Sequence, residues 1–433
     1  MQIYRYPKEV DWAKLTQRPE MNIRSVVPAV QSIMHGVKNE GDQAVLRFTE
    51  EFDGLRLSNL RVSDKTISTS QNEVVPPLKQ AIGHAFDNIE RFHKAQLTDY
   101  PELEIEPGVV CWQKDVPIDR VGLYIPGGTA PLFSSVLMLA IPARLAGCPN
   151  IYLCTPPDQN GTVHPAILYA ARLCGVHEIF AVGGAQAIAA LTYGTHSISR
   201  VDKIFGPGNR YVTAAKQLAT LEGVAIDMPA GPSEVAVIAD KQANADFIAA
   251  DLLSQAEHGQ DSQVLLVTDS PELIATVPIA VENQLKSLPR ADIARQALEN
   301  SRLLLMHNIE ECVDIVNYYA PEHLIINMPD ARQIAQKIRN AGSVFIGSLT
   351  PESSGDYASG TNHTLPTSGY ARNYSGLNTR SFMKTITYQE LSSEGINRLG
   401  PSIEVLAENE QLHAHKLAVT LRINAVKENK NEY

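Results

Sequence analysis

Cysteine is scarce and shows no pairing pattern. The five thiols, Cys111, Cys148, Cys154, Cys174 and Cys312, are odd in number, and no two have CxxC spacing. This argues against a disulfide frame or a thiolate zinc site and predicts reduced thiols in a cytoplasmic protein. Positive charge is also short: Lys plus Arg is 37 against 48 for Asp plus Glu, a net charge of -11, with no long basic run. Phosphate contacts need clustered cations, so no nucleic-acid partner is expected. The opening residues, MQIYRYPKEVDWAKL, lack the apolar stretch of an export signal. The one uncharged stretch long enough to span a bilayer, Val121 to Ala143, holds Pro126, Pro131, Pro142 and Gly127-Gly128. It reads as strand, turn and helix, and no membrane partner is expected. Low-complexity segments and close repeats are missing too.

What is present is ample core material. The chain has 433 residues, 44% hydrophobic and 20% charged, enough for about two to four domains. Apolar residues fall at helical spacing over Ser25–Val37, Asp42–Phe52 and Pro77–Leu97. From Arg120 the pattern changes to short β-branched runs separated by helical stretches. VGLYIP (121–126), NIYLC (150–154), EIFAV (178–182), RVDKIF (200–205) and GVAID (223–227) read as one strand set. VAVIA (235–239), QVLLVT (263–268), RLLLM (302–306), HLIIN (323–327) and SVFIG (343–347) read as a second. Strands alternating with single helices predict parallel pairing. The expected fold is α/β: two Rossmann-like doubly wound parallel-sheet units, a helical N-terminal region and an extended helical C-terminal tail. The expected bounds are an arm over 1–24, a helical region over 25–118 packing with the second α/β unit, α/β units over 119–233 and 234–375, and a tail over 376–433.

Five sets of residues carry candidate chemistry. Gln255 and His258 in DLLSQAEHG are three apart near a helix end, so both can face one metal ion; a histidine favouring the helix dipole is the plainer alternative. Glu322-His323 in PEHLIIN puts an acid beside an imidazole, which suits proton transfer if Pro321 sets both on a turn; an ordinary polar turn before a strand is the plainer reading. SSGDYASGTNHTLPT (353–367) offers Asp356 as a hard oxygen donor in a polar stretch, or is a solvated loop. In His413-Ala-His415 the two rings diverge on a helix, so one at most serves a given site, in this chain or a partner subunit; two exposed helix histidines are the plainer reading. IPGGT (125–129), VGGAQ (182–186) and FGPGN (205–209) each sit between a strand and a helix, where α/β proteins bind nucleotides; none is a clean GxGxxG, and tight turns would look the same.

Taken together these stretches resemble the histidinol dehydrogenase family. The blocks that carry the resemblance are VGLYIPGGTAPLFSSVLMLAIPARLAGC, VGGAQAIAALTYGT, VDKIFGPGN, DMPAGPSEV, DLLSQAEHG, PEHLII, GSVFIG, GDYASGTNHTLPT and HKLAVTLRINA, in collinear order. The resemblance implies an enzyme that oxidises L-histidinol through L-histidinal to L-histidine with two NAD+ in sequence, the last step of histidine biosynthesis. It implies one zinc ion per subunit and a homodimer whose C-terminal tails intertwine. It implies Gln255, His258, Asp356 and His415, the last from the other subunit, as zinc ligands, and Glu322 and His323 as the acid/base pair. Ser233, His363 and Glu410 would join the zinc ligands and His323 around the substrate, and Tyr124, Gln186 and Asn209 would contact NAD+. Two rivals account for less. A metal-dependent hydrolase leaves the three glycine-rich turns without a task, and a non-enzymatic binding protein has no need of a Glu-His pair.

Overall fold

The computed structural model describes residues 1–19, 23–127, 130–229 and 231–431. Gly128 and Thr129 of the first glycine-rich turn, and part of the 1–24 arm, lie outside the described residues. In chain order the strands are β1 (Gln2–Arg5), β2 (Leu103–Glu106), β3 (Val109–Pro117), β4 (Arg120–Tyr124), β5 (Asn150–Thr155), β6 (Glu178–Ala181), β7 (Lys203–Phe205), β8 (Ala225–Ile226), β9 (Glu234–Ala239), β10 (Gln263–Thr268), β11 (Arg302–Leu305), β12 (His323–Asn327), β13 (Ser343–Ile346) and β14 (Met383–Leu391). Contacts divide the chain into one unit made of 1–96 with 118–382 and another made of 97–117 with the residues from 383 onward.

The first unit holds two parallel sheets, and all ten predicted runs form strands in them, with shifted ends. One sheet has the order β6-β5-β4-β7-β8, so the winding direction reverses between β4 and β7. The other has the order β1-β11-β10-β9-β12-β13. Helices cover both faces, which is why β9, β10 and β12 are buried at every residue and read as unbroken apolar runs. Strand β1 extends this sheet beside β11; four residues near the terminus gave no periodic signal.

The helical region differs from expectation in two ways. Helix Ile23–Glu40 buries Val26, Val30, Ile33, Met34 and Val37, a stripe at helical spacing, in the core of the first sheet with Ile188, Leu191 and Val212. It packs on helices Gly184–Tyr193 and Arg210–Leu221, whose alanine-rich faces admit it closely, not on the 234–375 unit. Its neighbour Pro76–Lys94 packs on helix Phe133–Ala146. The region is also not helical to its end: β2 and β3 lie within it, and β14 lies within the expected helical tail.

These three strands make the sheet of the second unit, antiparallel in the order β14-β3-β2, with Met383 opposite Pro117 and Leu391 opposite Val109. Most of β14 is exposed, so it lacks the apolar alternation that marks a half-buried strand. Helices Ser393–Asn409 and His413–Asn431 complete this unit. The cysteines are free, four of them buried and Cys111 half-buried on β3. Burial pushes the Cys148 thiol up to about 11 and Cys174 up to about 12. Among the described residues no helix is long and apolar enough to cross a membrane.

A buried ion pair fixes the turn after β7. Lys216 Nζ lies 2.5 Å from Asp227 Oδ1, with side chains 4% and 1% exposed. The same lysine donates to the Gly206 carbonyl at 2.7 Å, and Gly206 N–H donates to Asp227 at 2.8 Å. Gly206 has φ +121, and a Cβ there would sit 2.0 Å from the Tyr124 carbonyl oxygen, so only glycine fits. Lys216→Met strands a buried carboxylate and should cost about 3–5 kcal/mol in urea unfolding, with part recovered by adding Asp227→Asn. A loss under about 1 kcal/mol would show that the pair does not hold this turn.

Candidate active site

Two places in the first unit gather the residues singled out in the sequence. The first is a cavity of about 860 Å³ whose lining includes Tyr124, Gln186 and Asn209 together. It opens where the strand order reverses, the place where doubly wound sheets take up nucleotides. Gly184, Ala185 and Gln186 from the start of helix Gly184–Tyr193 line it, as do Asn209 and Tyr211 at the start of Arg210–Leu221. Helix N-termini favour anionic groups such as a pyrophosphate. Tyr124 Oη accepts a hydrogen bond from Gly184 N–H at 3.1 Å, and burial pushes this phenol up to about 12. Asn209 caps its helix by accepting from Tyr211 and Val212 N–H at 3.0 and 3.1 Å. Asp53 and Asp158 also line the cavity, and no Lys or Arg is among its described lining residues.

The second place is a buried polar cluster at the N-terminal edge of β12. Glu322 and His323 are 7% and 3% exposed. Gly342 permits the turn before β13 to close on them: a Cβ there would lie 2.5 Å from the Glu322 carbonyl oxygen. Glu322 Oε2 accepts from Glu234 N–H at 2.9 Å, and His323 Nδ1 lies 3.2 Å from the Glu234 carbonyl oxygen. A carbonyl only accepts, so Nδ1 carries a proton and Nε2 faces the cluster. Nε2 is buried without a hydrogen-bond partner, 3.4 Å from Asp356 Oδ1. Nδ1 is 3.6 Å from Glu322 and 3.7 Å from Glu352.

Asp356 stands on a short helix, Glu352–Tyr357, where a flexible loop was the alternative reading. Residues four apart share a helix face, so Glu352 and Asp356 reach the same imidazole. Glu352, 1% exposed, is the residue that sequence reasoning missed, and its i,i+4 spacing to Asp356 was the available signal. His323, Glu352 and Asp356 offer ligand atoms within 4.8 Å of one another. This trio shares only Asp356 with the expected metal set.

The other expected ligands border the trio. Gln255 is fully buried, between Glu322, Glu352 and the Glu234 amide. Its oxygen meets Glu352 Oε1 unless the amide turns over, after which its nitrogen donates to Glu352 and its oxygen accepts from Glu234 N–H at 3.0 Å. His258 lies just past the same helix, Ala245–Ala256, and is exposed. The surrounding protein lowers its imidazole pKa; Asp356 opposes this, while His323 and His363 add to it. His363 Nδ1 donates to the Asp356 carbonyl at 2.9 Å, and its Nε2 faces Ser135 Oγ at 3.2 Å. Ser233 immediately precedes β9. Glu410 and His415 belong to the second unit, where both are exposed.

Charge in the cluster is unbalanced. Burial pushes Glu322 up to about 8 and Glu352 well above the carboxylate range. Burial would lower His323, but Glu352, Glu322 and Asp356 outweigh it and raise the imidazole to about 10. An excess of buried carboxylate oxygen beside one orphaned imidazole nitrogen forms a mixed N/O donor set that fits a divalent cation such as zinc.

The Histidinol dehydrogenase family model matches residues 16–423. A histidinol dehydrogenase of Bacteroides thetaiotaomicron is 56% identical over 99% of this chain and 100% of its own length. One from Escherichia coli K12 is 53% identical over 96% of this chain and 95% of its own. The crystal structure of histidinol dehydrogenase from Elizabethkingia anophelis superimposes with a TM-score of 0.97 at 52% identity, covering 99% of both chains.

One buried acid offers a stability test. Asp251, on the Gln255 helix and 8% exposed, has its carboxyl raised by burial to about 7 from an ordinary 3.8. The folded chain therefore holds this proton more tightly than the unfolded chain. The group opposes folding increasingly as pH rises from about 4 to about 7, and fully above that. Asp251→Asn should raise the urea midpoint at pH 8 and leave it close to native at pH 4; equal shifts at both would contradict the burial argument.

Proposed function

This chain belongs to the histidinol dehydrogenase family, and on that premise we propose that it oxidises L-histidinol to L-histidine in two NAD+-linked steps through L-histidinal. The observation that carries the proposal is the pairing of a cavity at two helix N-termini with a buried Glu-His-Asp cluster on the neighbouring sheet. Tyr124, Gln186 and Asn209 would contact NAD+ there. NAD+, when bound, supplies the hydride acceptor for each step.

Zinc, when bound, would anchor the substrate's imidazole and amino nitrogens and so orient its carbinol carbon. Gln255, His258 and Asp356 would hold the ion with His415 from a second copy of the chain, one ion per subunit. The exposed apolar residues Val405, Leu406, Leu417 and Leu421 on the helices that flank His413 support a homodimer through this unit. Ser233, His363 and Glu410 complete the proposed substrate pocket.

His323 would take the hydroxyl proton of histidinol in the first step, in the neutral form that a cation held at Asp356 would favour by offsetting the carboxylates that raise its imidazole. Its Nδ1–H is directed at the Glu234 carbonyl, which leaves Nε2 as the nitrogen facing the reacting group. Glu322 then removes a proton from the water that adds to the aldehyde, so that the hydrate can give up the second hydride. Its elevated pKa lets the carboxyl accept and return a proton near neutrality. Positioned groups of this kind contribute ~10²–10⁴ each in rate.

Histidinol-dependent growth of absorbance at 340 nm with NAD+, lost on chelation and restored by zinc, tests the proposal; no rise with the metal-loaded protein would end it. Glu322→Gln should slow oxidation of histidinal more than that of histidinol, whereas equal slowing would remove the water-activating role. The cavity also predicts cofactor choice. Asp53 has no hydrogen-bond or ion-pair partner among the described residues, and burial raises its carboxyl pKa. Hydrogen bonds from Thr162 and Asn160 overcome partial burial and hold Asp158 low. Both repel a 2′-phosphate. Asp53→Asn should shift the kcat/KM ratio about tenfold toward NADP+, and an unchanged ratio would rule Asp53 out as the discriminating charge.

A further inference from the structure

A single residue touches both members of the acid/base pair through its backbone. Glu234 N–H donates to Glu322 Oε2, and Glu234 C=O accepts from His323 Nδ1. The orientation of that peptide is set by the Glu234 side chain, which is 2% exposed and gripped from two sides. Ser368 N–H donates to Oε1 at 2.7 Å. From the other side comes Arg18, of the N-terminal arm, with Nε 2.5 Å from Oε1 and Nη2 2.9 Å from Oε2.

The arginine does more than neutralise the carboxylate. Its Nη2 also donates to the carbonyls of Tyr319 and Ala320 at 2.7 and 3.3 Å. Its guanidinium lies 4.0 Å over the Tyr319 ring. Ala320 holds φ +54 and leads through Pro321 directly into Glu322. One planar fork therefore ties the start of β9 to the chain end from which both acid/base side chains emerge. A buried ion pair is a poor source of net stability, since an apolar pair of equal volume often serves as well. What the fork adds is a fixed geometry, which a lysine's point charge does not reproduce.

We propose that Arg18 is a positioning residue for Glu322 and His323, acting through the carboxylate and peptide groups of Glu234. The inference rests on the reading of Glu322 and His323 as the acid/base pair, and its test separates the two. Arg18→Lys keeps the charge, and Arg18→Met/Glu234→Met replaces the pair by apolar groups, so the folded fraction of each is followed by circular dichroism. Per folded molecule, both should lose about ten- to hundredfold in kcat. KM for NAD+ should stay within twofold, because the NAD+ cavity lies on the other sheet.

In a Glu322→Gln background, Arg18→Lys should cost clearly less than in the native chain, since one of the two groups it positions is already lost. Native kcat in both Arg18 variants, or the same loss with and without Glu322, overturns the inference. Native kcat in Glu322→Gln overturns instead the reading of the pair on which it rests.

Discussion

Strand β12 lies in parallel register beside β9, with His323 opposite Val235, and this alignment governs where the chemistry can occur. It brings the residue before β12 and the first residue within it against the peptide groups of Glu234. Glu322 and His323 are neighbours in sequence, and in a regular strand they would point to opposite faces. Because Glu322 sits one residue ahead of the strand, on the turn from Pro321, both side chains reach Glu234. A slip of one residue would turn the imidazole into the apolar layer between sheet and helices. The other parts of the cluster follow from this register: the Gln255 helix end and the Glu352–Tyr357 helix close over a position already fixed by two buried strands.

The two sheets divide the work. The first places a cavity at two helix N-termini, whose dipoles favour an anionic group. The second places carboxylates and an imidazole in a volume too dry to leave them at ordinary pKa values. Burial is the common cause of every large shift in the cluster, and neighbouring charges decide its sign for His323. A site arranged in this way is primed for proton transfer and for a cation, and both needs arise from the same desolvation.

The parallel strands were legible because a strand covered on both faces is a continuous apolar run, as HLIIN and QVLLVT show. Glu322, His323, Gln255 and Asp356 were legible because each stands in a compact motif. Strands β3 and β14 were not, since VVCWQKDVP and MKTITYQEL mix charge and apolar residues without a consistent face. The direction of the Ile23–Glu40 helix was also hidden: its apolar stripe is plain, but the sequence does not say which alanine-rich surface receives it. Arg18 and Glu234 are 216 positions apart, and nothing local in either segment announces a partner. Glu352 lay within reach of a spacing argument only once 352–357 was known to be helical.

The thiols described with the fold have a practical outcome. Four are sealed in the interior, where at neutral pH a thiolate is disfavoured and a reagent cannot enter without unfolding. Cys111 alone is partly open, on the antiparallel sheet that β3 shares with the chain's last third. The native protein thus carries its own single accessible attachment point for a fluorophore or spin label, without any engineered substitution.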